Sequence, residues 1–303
     1  MSSTDVTVGF VGLGHMGGPM AANLAKAGYR VNGFDLAEAA LDQARRDGVT
    51  VAPSAHAAAT DADVVITMLP SGKHVLDLYE SGLLAAARPG TLFVDCSTID
   101  VADARAAHEL AELAGHRSVD APVSGGVMGA SAGTLAFMVG GADEDFEAAH
   151  PLLEVMGRKV VHCGGPGVGQ AAKICNNMIL GVSMIAISEA FVLGEKLGLS
   201  NQALFDVASN ASGQCWALTT NCPVPGPVPT SPANNNYQPG FAAALMDKDL
   251  GLASNALRAN GVDAELGMRA AELYRRFHET GHGGEDFSAI IRDIRDRSNG
   301  GTR

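Results

Sequence analysis

The sequence predicts an α/β N-terminal domain with a doubly wound, mostly parallel sheet, followed by an all-α C-terminal domain. Short β-branched runs alternate with alanine-rich stretches as far as Val161. A glycine-rich segment, Gly164–Gln170, then interrupts the alternation, and only helical spacing continues beyond it. A chain of 303 residues, 47% of them hydrophobic, can build two such cores. We therefore expect domains at residues 1–164 and 165–303.

The alternating elements of the first domain are short and regular. The predicted strands are Val6–Val11, Val31–Phe34, Val64–Leu69, Leu92–Asp95, Ser118–Asp120, Leu135–Val139 and Lys159–Val161. The predicted helices between them are Pro19–Ala27, Ala37–Asp47, Lys73–Leu84, Val101–Leu113 and Glu144–Met156. Because a helical crossover joins parallel strands, this order predicts a parallel sheet with helices on both faces. The final strands are also open to an antiparallel direction.

The second domain opens with a long helix, predicted over Ala171–Leu197. Its apolar residues lie nearly all round, which indicates burial between domains or subunits, so we expect a homodimer or homotetramer. Its longest apolar run, Met178–Ile187, is shorter than the roughly 20 residues of a membrane helix. Six prolines in Cys222–Gly240 predict a loop within the helical domain.

Charge and composition exclude several kinds of partner. A formal net charge of −12 and a pI near 5.1 repel phosphate backbones and anionic membranes, so we expect neither nucleic acid nor membrane as a partner. Five widely spaced cysteines and nine unclustered histidines predict neither a disulfide framework nor a metal site. The first residues show no secretory or organelle-targeting pattern, which favours a cytoplasmic location.

A dinucleotide fingerprint lies between the first predicted strand and the first predicted helix. Its glycines permit a tight turn, close approach of a pyrophosphate, and close packing of helix on strand. The motif residues, all expected at the cofactor, are Gly12, Leu13, Gly14, His15, Met16 and Gly17. Asp35 ends the second strand, where a carboxylate accepts hydrogen bonds from the adenosine ribose. No arginine follows it directly, so the pattern favours NAD over NADP.

Two further strand ends point to the same edge of the sheet, where open α/β sheets bind ligands. Leu69-Pro70 and Ser97-Thr98 lie there, and the Thr98 hydroxyl can bond a nicotinamide or ribose. Ser124, Gly125 and Gly126 follow another strand and form a candidate backbone nest for a carboxylate. Both Pro70-Ser71-Gly72 and Ser124–Gly126 also fit simple turns.

Lys173 and Asn177 are four residues apart on the long predicted helix, so they share one face. Desolvation at the start of an apolar helix would suit a lysine for proton transfer near neutrality, and Asn177 could hold a substrate hydroxyl or carboxylate. A lysine that covers the polar end of a buried helix is the alternative. Lys248-Asp249 fits a solvated charge pair equally well.

Five segments together resemble the β-hydroxyacid dehydrogenase family and cover nearly the whole chain. They are GFVGLGHMGGPMAANL, DCSTID, DAPVSGGVMGASAGTLAFMVGG, GQAAKICNNM and LMDKDLGLA. His15 departs from the asparagine usual in this family, and His74 stands where related sequences vary. Neither departure is expected to abolish NAD binding.

The resemblance implies an N-terminal Rossmann-type domain and NAD as cofactor. It implies Lys173 as the catalytic residue, substrate contacts at Ser124, Gly125, Gly126 and Asn177, and a cofactor lining of Leu69, Pro70, His74 and Thr98. Lys248 would lie near both nicotinamide and substrate. Trp216 and Phe241 are candidates for enclosing a substrate methyl group, with core packing as the competing explanation.

The implied activity is NAD-dependent oxidation of a small 3-hydroxy acid. The stretch Ser212–Lys248 most resembles the members that act on 3-hydroxyisobutyrate in valine catabolism. Members that act on tartronate semialdehyde, serine or 3-hydroxypropionate are alternatives. A non-catalytic dinucleotide-binding interaction module is another, although the lysine that such a module would lack is present here.

Overall fold

The computed structural model describes residues 6–300. Within the chain two compact units are distinguished, the first ending at Lys173 and the second beginning at Ile174. This border lies inside one continuous helix, Val168–Lys196, whereas the boundary that the sequence predicts at Gly164 lies just before that helix.

The described part of unit 1 contains one sheet of nine strands. They are β1 (Thr7–Val11), β2 (Arg30–Phe34), β3 (Thr50–Val51), β4 (Val64–Thr67), β5 (Leu92–Asp95), β6 (Arg117–Asp120), β7 (Val123–Ser124), β8 (Leu135–Gly140) and β9 (Gly157–Gly164). The spatial order is β3-β2-β1-β4-β5-β6-β8-β7, with β9 paired to β8. From β3 to β6 all neighbours are parallel, and β8 runs antiparallel to β6 and β7. The predicted mostly parallel sheet is confirmed.

Helices cover both faces of this sheet. They are α1 (Gly17–Lys26), α2 (Glu38–Arg46), α3 (Ala55–Ala59), α4 (Gly72–Leu78), α5 (Leu84–Ala86), α6 (Val101–Leu113), α7 (Gly126–Ala132) and α8 (Asp143–Met156). One apolar cluster contains Met20 of α1 and Leu153 of α8, and a second contains Val75 of α4 and Ala107 of α6. Two separate cores make the unit doubly wound.

Some predicted boundaries are wrong. The single helix expected at Lys73–Leu84 ends instead at Leu78, because the chain passes through Gly82 with φ +107°, a left-handed conformation that an α-helix cannot contain. The strand expected to reach Leu69 stops at Thr67. Strands β3 and β7 and helices α3 and α7 were not predicted, since two to seven residues are too few to show a period.

Unit 2 is helical, as predicted. Its elements are the greater part of α9 (Val168–Lys196), then α10 (Asn201–Ala208), α11 (Trp216–Thr219), α12 (Ala243–Ala259), α13 (Glu265–Phe277) and α14 (Ile290–Ser298), with short 3₁₀ turns at Pro232–Asn235 and Phe287–Ala289. Met246, Leu250, Tyr274, Phe277 and Phe287 are fully buried in one apolar cluster. Apart from the first of those 3₁₀ turns, the proline-rich segment 222–240 lacks regular structure.

Helix α9 is 29 residues long and by length and apolar composition could cross a membrane, a test that the core helix of a soluble protein also passes. The apolar run Met178–Ile187 is therefore much shorter than the apolar helix that contains it. Of its most apolar stretch, 44% is buried within the chain. Ile179 and Leu193 of this helix are exposed. The prediction that apolar residues on every face of the helix are buried is therefore met only in part within a single chain.

Candidate active site

The glycine fingerprint forms the tight turn after β1. Gly12 has φ +96°, and a Cβ there would lie 2.2 Å from the Met68 carbonyl oxygen. A Cβ on Gly17 would lie 1.9 Å from the Gly12 carbonyl oxygen. By contrast, a Cβ on Gly14 would meet nothing within 4 Å. The first and third glycines are thus required by packing, whereas the second presents open backbone that a pyrophosphate can approach.

The other motif residues differ in exposure. Leu13 is buried in the core, Met16 is half-buried, and His15 is exposed, as expected for a side chain that projects into solvent. Because the Leu13 side chain lies in the core, Leu13 would contact a ligand only with its backbone atoms.

Asp35 connects the end of β2 to this turn. Its carboxylate accepts hydrogen bonds from Leu13 N at 2.7 Å and from Ala37 N at 2.8 Å. The nearest following arginines are engaged elsewhere on α2, Arg45 with Glu38 and Asp42, and Arg46 with Gln43. Neither arginine therefore pairs with the carboxylate at the position expected for the adenosine ribose, and the residues present fit NAD.

The ends of β4 and β5 are tied together by side-chain hydrogen bonds. Thr67 Oγ1 and Ser97 Oγ both donate to Asp95 Oδ1, at 2.7 and 2.6 Å. Leu69 N in turn donates to Ser97 Oγ at 2.8 Å. The two predicted cofactor-lining loops are therefore held by one buried carboxylate, while Pro70 and Thr98 lie beside the anchored residues. His74 is exposed and shares a hydrogen bond with Ser71 Oγ.

Asp95 is an unusual carboxylate to find in the core of the unit. Its Oδ1 carries the hydrogen bonds, whereas its Oδ2 is buried without a partner among residues 6–300. Burial raises the pKa of Asp95 from its ordinary 3.8 to about 6, against the lowering effect of the bonds from Ser97 and Thr67. The folded chain therefore holds this proton more tightly than the unfolded chain.

We expect Asp95→Asn to stabilise the protein more at pH 8 than at pH 4.5. With a raised folded pKa, stability is lost as the pH rises through the window from about 4 to about 6 and stays lost above it. An asparagine keeps the Oδ1 acceptor and cannot ionise. The difference in free energy of unfolding between Asp95→Asn and wild type should therefore be larger at pH 8 than at pH 4.5 by on the order of 2 kcal/mol. Urea denaturation at the two pH values measures it. Asp61→Asn, at an exposed carboxylate, is the control for the loss of one charge. An equal gain from Asp95→Asn at both pH values would contradict the prediction.

The segment after β7 contains the predicted nest. Ser124 ends the strand half-buried, and Gly125 and Gly126 follow with φ +132° and +60°. Both values favour glycine, and a Cβ on Gly125 would lie 3.2 Å from the Leu135 side chain. The glycines are therefore required by the backbone conformation, and their role as a carboxylate nest stays a prediction.

Lys173 and Asn177 lie on α9, which is unbroken between them, and are only 6% and 1% exposed. Asn177 Nδ2 donates to Asp249 Oδ2 at 2.5 Å, and its Oδ1 accepts from Asn176 Nδ2 at 3.0 Å. Both side chains are thus shielded from bulk water, and their roles in proton transfer and substrate contact stay predictions.

Asp249 is a functional candidate that the sequence did not reveal. It is only 4% exposed, so the interpretation of Lys248-Asp249 as a solvated pair is wrong for the aspartate. Lys248 Nζ lies 3.8 Å from Asp249 Oδ1. The carboxylate thus orients Asn177 and lies beside the Lys248 ammonium. The local sequence contains no signal for this contact, because Asn177 and Asp249 are 72 residues apart.

The two aromatic candidates differ in their surroundings. Phe241 is half-buried and packs edge-on to Phe287 at a ring distance of 5.6 Å, so core packing accounts for part of its environment. Its backbone N–H donates to the buried carboxylate of Asp286. Trp216 begins α11 and is 52% exposed, which core packing does not explain.

Two family models match the chain in succession. The one for the NAD binding domain of 6-phosphogluconate dehydrogenase matches residues 7–165. The one described as NAD-binding of NADP-dependent 3-hydroxyisobutyrate dehydrogenase matches residues 167–294. Together they span both units.

Curated relatives match over nearly their full length. A Mycobacterium tuberculosis protein named "Probable 3-hydroxyisobutyrate dehydrogenase" is 59% identical over 292 residues, 96% of this chain and 99% of the relative. The NAD-dependent L-serine dehydrogenase of Pseudomonas aeruginosa is 48% identical over 285 residues, 93% of this chain and 96% of the relative.

Among solved structures, Mycobacterium tuberculosis 3-hydroxyisobutyrate dehydrogenase with L-serine superposes with a TM-score of 0.93 at 59% identity, covering 96% of this chain and 99% of the other. This agreement extends through both units. With the glycine turn and Asp35 in place, the cofactor is NAD. The chain is an NAD-dependent dehydrogenase that belongs to the β-hydroxyacid dehydrogenase family, the family of the 3-hydroxyisobutyrate dehydrogenases.

Proposed function

We propose that this enzyme oxidises 3-hydroxyisobutyrate to methylmalonate semialdehyde, as a step of valine catabolism. The observation that carries the proposal is the buried pair Lys173 and Asn177, one helical turn apart on α9. The name of the 59% identical Mycobacterium tuberculosis relative supports the substrate.

Lys173 is the general base of the proposed reaction. Its neutral amine accepts the hydroxyl proton while the hydroxymethyl carbon loses a hydride, so the alcohol becomes an aldehyde and no carbon dioxide is released. NAD, when bound, supplies the hydride acceptor. In the reverse direction the Lys173 ammonium returns the proton to the aldehyde oxygen. What the protein contributes is orientation and proton transfer.

The remaining candidates bind the substrate. Ser124, Gly125 and Gly126 supply a hydroxyl and backbone N–H groups to its carboxylate. Asn177, oriented by Asp249, contacts the hydroxyl or carboxylate, and Lys248 adds a positive charge. Trp216 and Phe241 enclose the methyl group. Cofactor contacts come from the glycine turn, Asp35, and the segments with Leu69, Pro70, His74 and Thr98.

L-serine is the second candidate substrate, favoured by the Pseudomonas aeruginosa relative and by the Mycobacterium tuberculosis structure with L-serine. L-serine carries an ammonium where 3-hydroxyisobutyrate carries a methyl group. An ammonium must keep polar partners when it leaves water, whereas aromatic side chains suffice for a methyl.

We expect kcat/KM for 3-hydroxyisobutyrate to exceed that for L-serine by at least about 10-fold, because one methyl in an apolar pocket contributes roughly 1–3 kcal/mol. NADH formation is measured with both compounds and with 3-hydroxypropionate, which lacks the methyl group; tartronate semialdehyde is tested in the reducing direction.

Trp216→Ala should lower kcat/KM for 3-hydroxyisobutyrate and leave kcat/KM for 3-hydroxypropionate nearly unchanged. Equal or faster turnover of L-serine would replace the proposed substrate.

We further propose that the enzyme works in the cytoplasm as a homodimer or homotetramer. Exposed apolar side chains of unit 2, among them Ile179, Leu193 and Leu197, support assembly with a second copy. The negative charge of the chain is the argument against nucleic acid or an anionic membrane as a partner.

A further inference from the structure

Gln170 occupies the first turn of α9 and is fully buried. Its side-chain Nε2 donates to the Ser97 carbonyl oxygen at 2.7 Å, and its Oε1 accepts from Ile99 N at 3.2 Å. The amide thus holds the residue before and the residue after Thr98. Nothing in the local sequence indicates this contact, since the partners are 71 and 73 residues away.

A primary amide satisfies both partners at neutral pH, whereas an ionised carboxylate cannot. In the loop that follows β5, the Ser97 carbonyl needs a donor and the Ile99 N–H needs an acceptor, and glutamine supplies both at the end of one side chain. A glutamate cannot donate when ionised, and a methionine of similar size does neither. Because both loop groups are buried, leaving them unpaired would displace the loop or weaken it.

The same loop is anchored on its other side. Ser97 Oγ accepts from Leu69 N and donates to Asp95, so hydrogen bonds join the segment with Leu69 to the one with Thr98. The backbone of Gln170 is anchored as well, because its N–H donates to Asp120 Oδ2 at 2.8 Å. A Cβ on the preceding Gly169 would lie 2.4 Å from the Met138 carbonyl oxygen, which fixes how closely α9 begins against the sheet.

Lys173 follows Gln170 by three residues on the same helix. We propose that Gln170 is a positioning residue that holds the Thr98 loop against the helical turn carrying Lys173, and so sets the distance between the cofactor and the proton acceptor. This rests on the proposed function, in which Lys173 takes the hydroxyl proton. A misplacement of reacting groups by about 1 Å lowers the rate on the order of 100-fold. A small displacement of the Thr98 loop relative to Lys173 should therefore lower the rate measurably.

The test uses Gln170→Met, which removes both side-chain hydrogen bonds, and Gln170→Glu, which keeps the shape. We expect Gln170→Met to lower kcat by at least about 10-fold and to raise the Kd for NADH by about 5-fold, the latter measured by fluorescence titration. Deuterium uptake of the peptide containing Ile99 should rise in the same variant.

Gln170→Glu provides a readout that mere loss of stability cannot reproduce. Once protonated, a glutamic acid can again donate to the Ser97 carbonyl and accept from Ile99 N. Because this position is fully buried and its backbone N–H lies against the Asp120 carboxylate, the ionised form is disfavoured, and the side chain should take up a proton readily as the pH falls. The ratio of variant to wild-type kcat should therefore rise between pH 9 and pH 6, whereas the ratio for Gln170→Met should stay level.

Thr91→Val is the matched control. Thr91 is buried immediately before β5, at the opposite end of that strand from the Thr98 loop, and its hydroxyl donates to the carbonyls of Ala62 and Arg88. It should lose stability without losing rate or NADH affinity.

Three results would overturn the proposal: Gln170→Met within twofold of wild type in kcat and Kd, equal losses in Thr91→Val, or a Gln170→Glu ratio independent of pH. A wild-type enzyme that oxidises no 3-hydroxy acid would refute the proposed function instead. The NADH affinity and deuterium uptake of Gln170→Met would then still report on the Thr98 loop.

Discussion

Lys173→Met is expected to lower kcat by at least about 100-fold while leaving the affinity for NADH nearly unchanged, because methionine keeps the bulk of the side chain and removes the group that accepts the proton. Initial rates with 3-hydroxyisobutyrate and fluorescence titration with NADH measure the two quantities separately. Since Lys173 is only 6% exposed, the change replaces a buried amine by an apolar group and should not unfold the chain.

Lys196→Met is the matched control at the other end of α9. Lys196 is exposed and donates to Asn299 Oδ1, so its replacement should leave both rate and affinity unchanged. Undiminished turnover in Lys173→Met would remove Lys173 from the mechanism. A loss of NADH affinity equal to the loss of rate would make it a binding residue rather than a base.

The second large effect concerns the cofactor. Wild type should prefer NAD to NADP by at least about 100-fold in kcat/KM, because Asp35 places a negative charge where the 2′-phosphate would lie. The double variant Asp35→Ser, Leu36→Arg should shift that ratio toward NADP by at least about 100-fold, since hydrogen bonds to charged groups contribute roughly 1.5–3 kcal/mol each. Leu36 is 93% exposed, so an arginine there needs no repacking.

Asp47→Ser removes one negative charge at the far end of α2 and serves as the control for the charge that Asp35→Ser removes. Asp47 accepts from Gln43 Nε2 at the surface, and its replacement should leave the NAD to NADP ratio unchanged. If the double variant kept the wild-type preference, recognition of the ribose would have to be assigned to residues other than Asp35.

Elements with a long local period could be predicted closely. Helix α6 spans Val101–Leu113, as predicted, because Asp100 caps its first turn through a bond from Ala102 N and Gly115 follows its end. The break at Gly82 could not be predicted, since a glycine inside a helical pattern does not reveal its own φ.

The candidate site divides in the same way. The glycine fingerprint, Asp35, and the pair Lys173 and Asn177 are visible because each depends on spacing within one or two elements. The roles of Asp249, Gln170 and Asp95 could not be predicted from the sequence. Asp249 and Gln170 bond partners about 70 residues away, and Asp95 bonds side chains of two different strand ends.

The sequence by itself determined the doubly wound and helical architecture, the cofactor and the family, since these follow from local periodicity and from motifs whose residues are adjacent in the chain. Only the tertiary structure decided which polar side chains are buried and what they bond. Asp249 faces Asn177, Gln170 faces the Thr98 loop, and Asp95 supports two strand ends. The hydrogen bonds of Asp249 and Gln170 join residues about 70 positions apart, and the spacing of residues along the chain does not predict contacts of that kind.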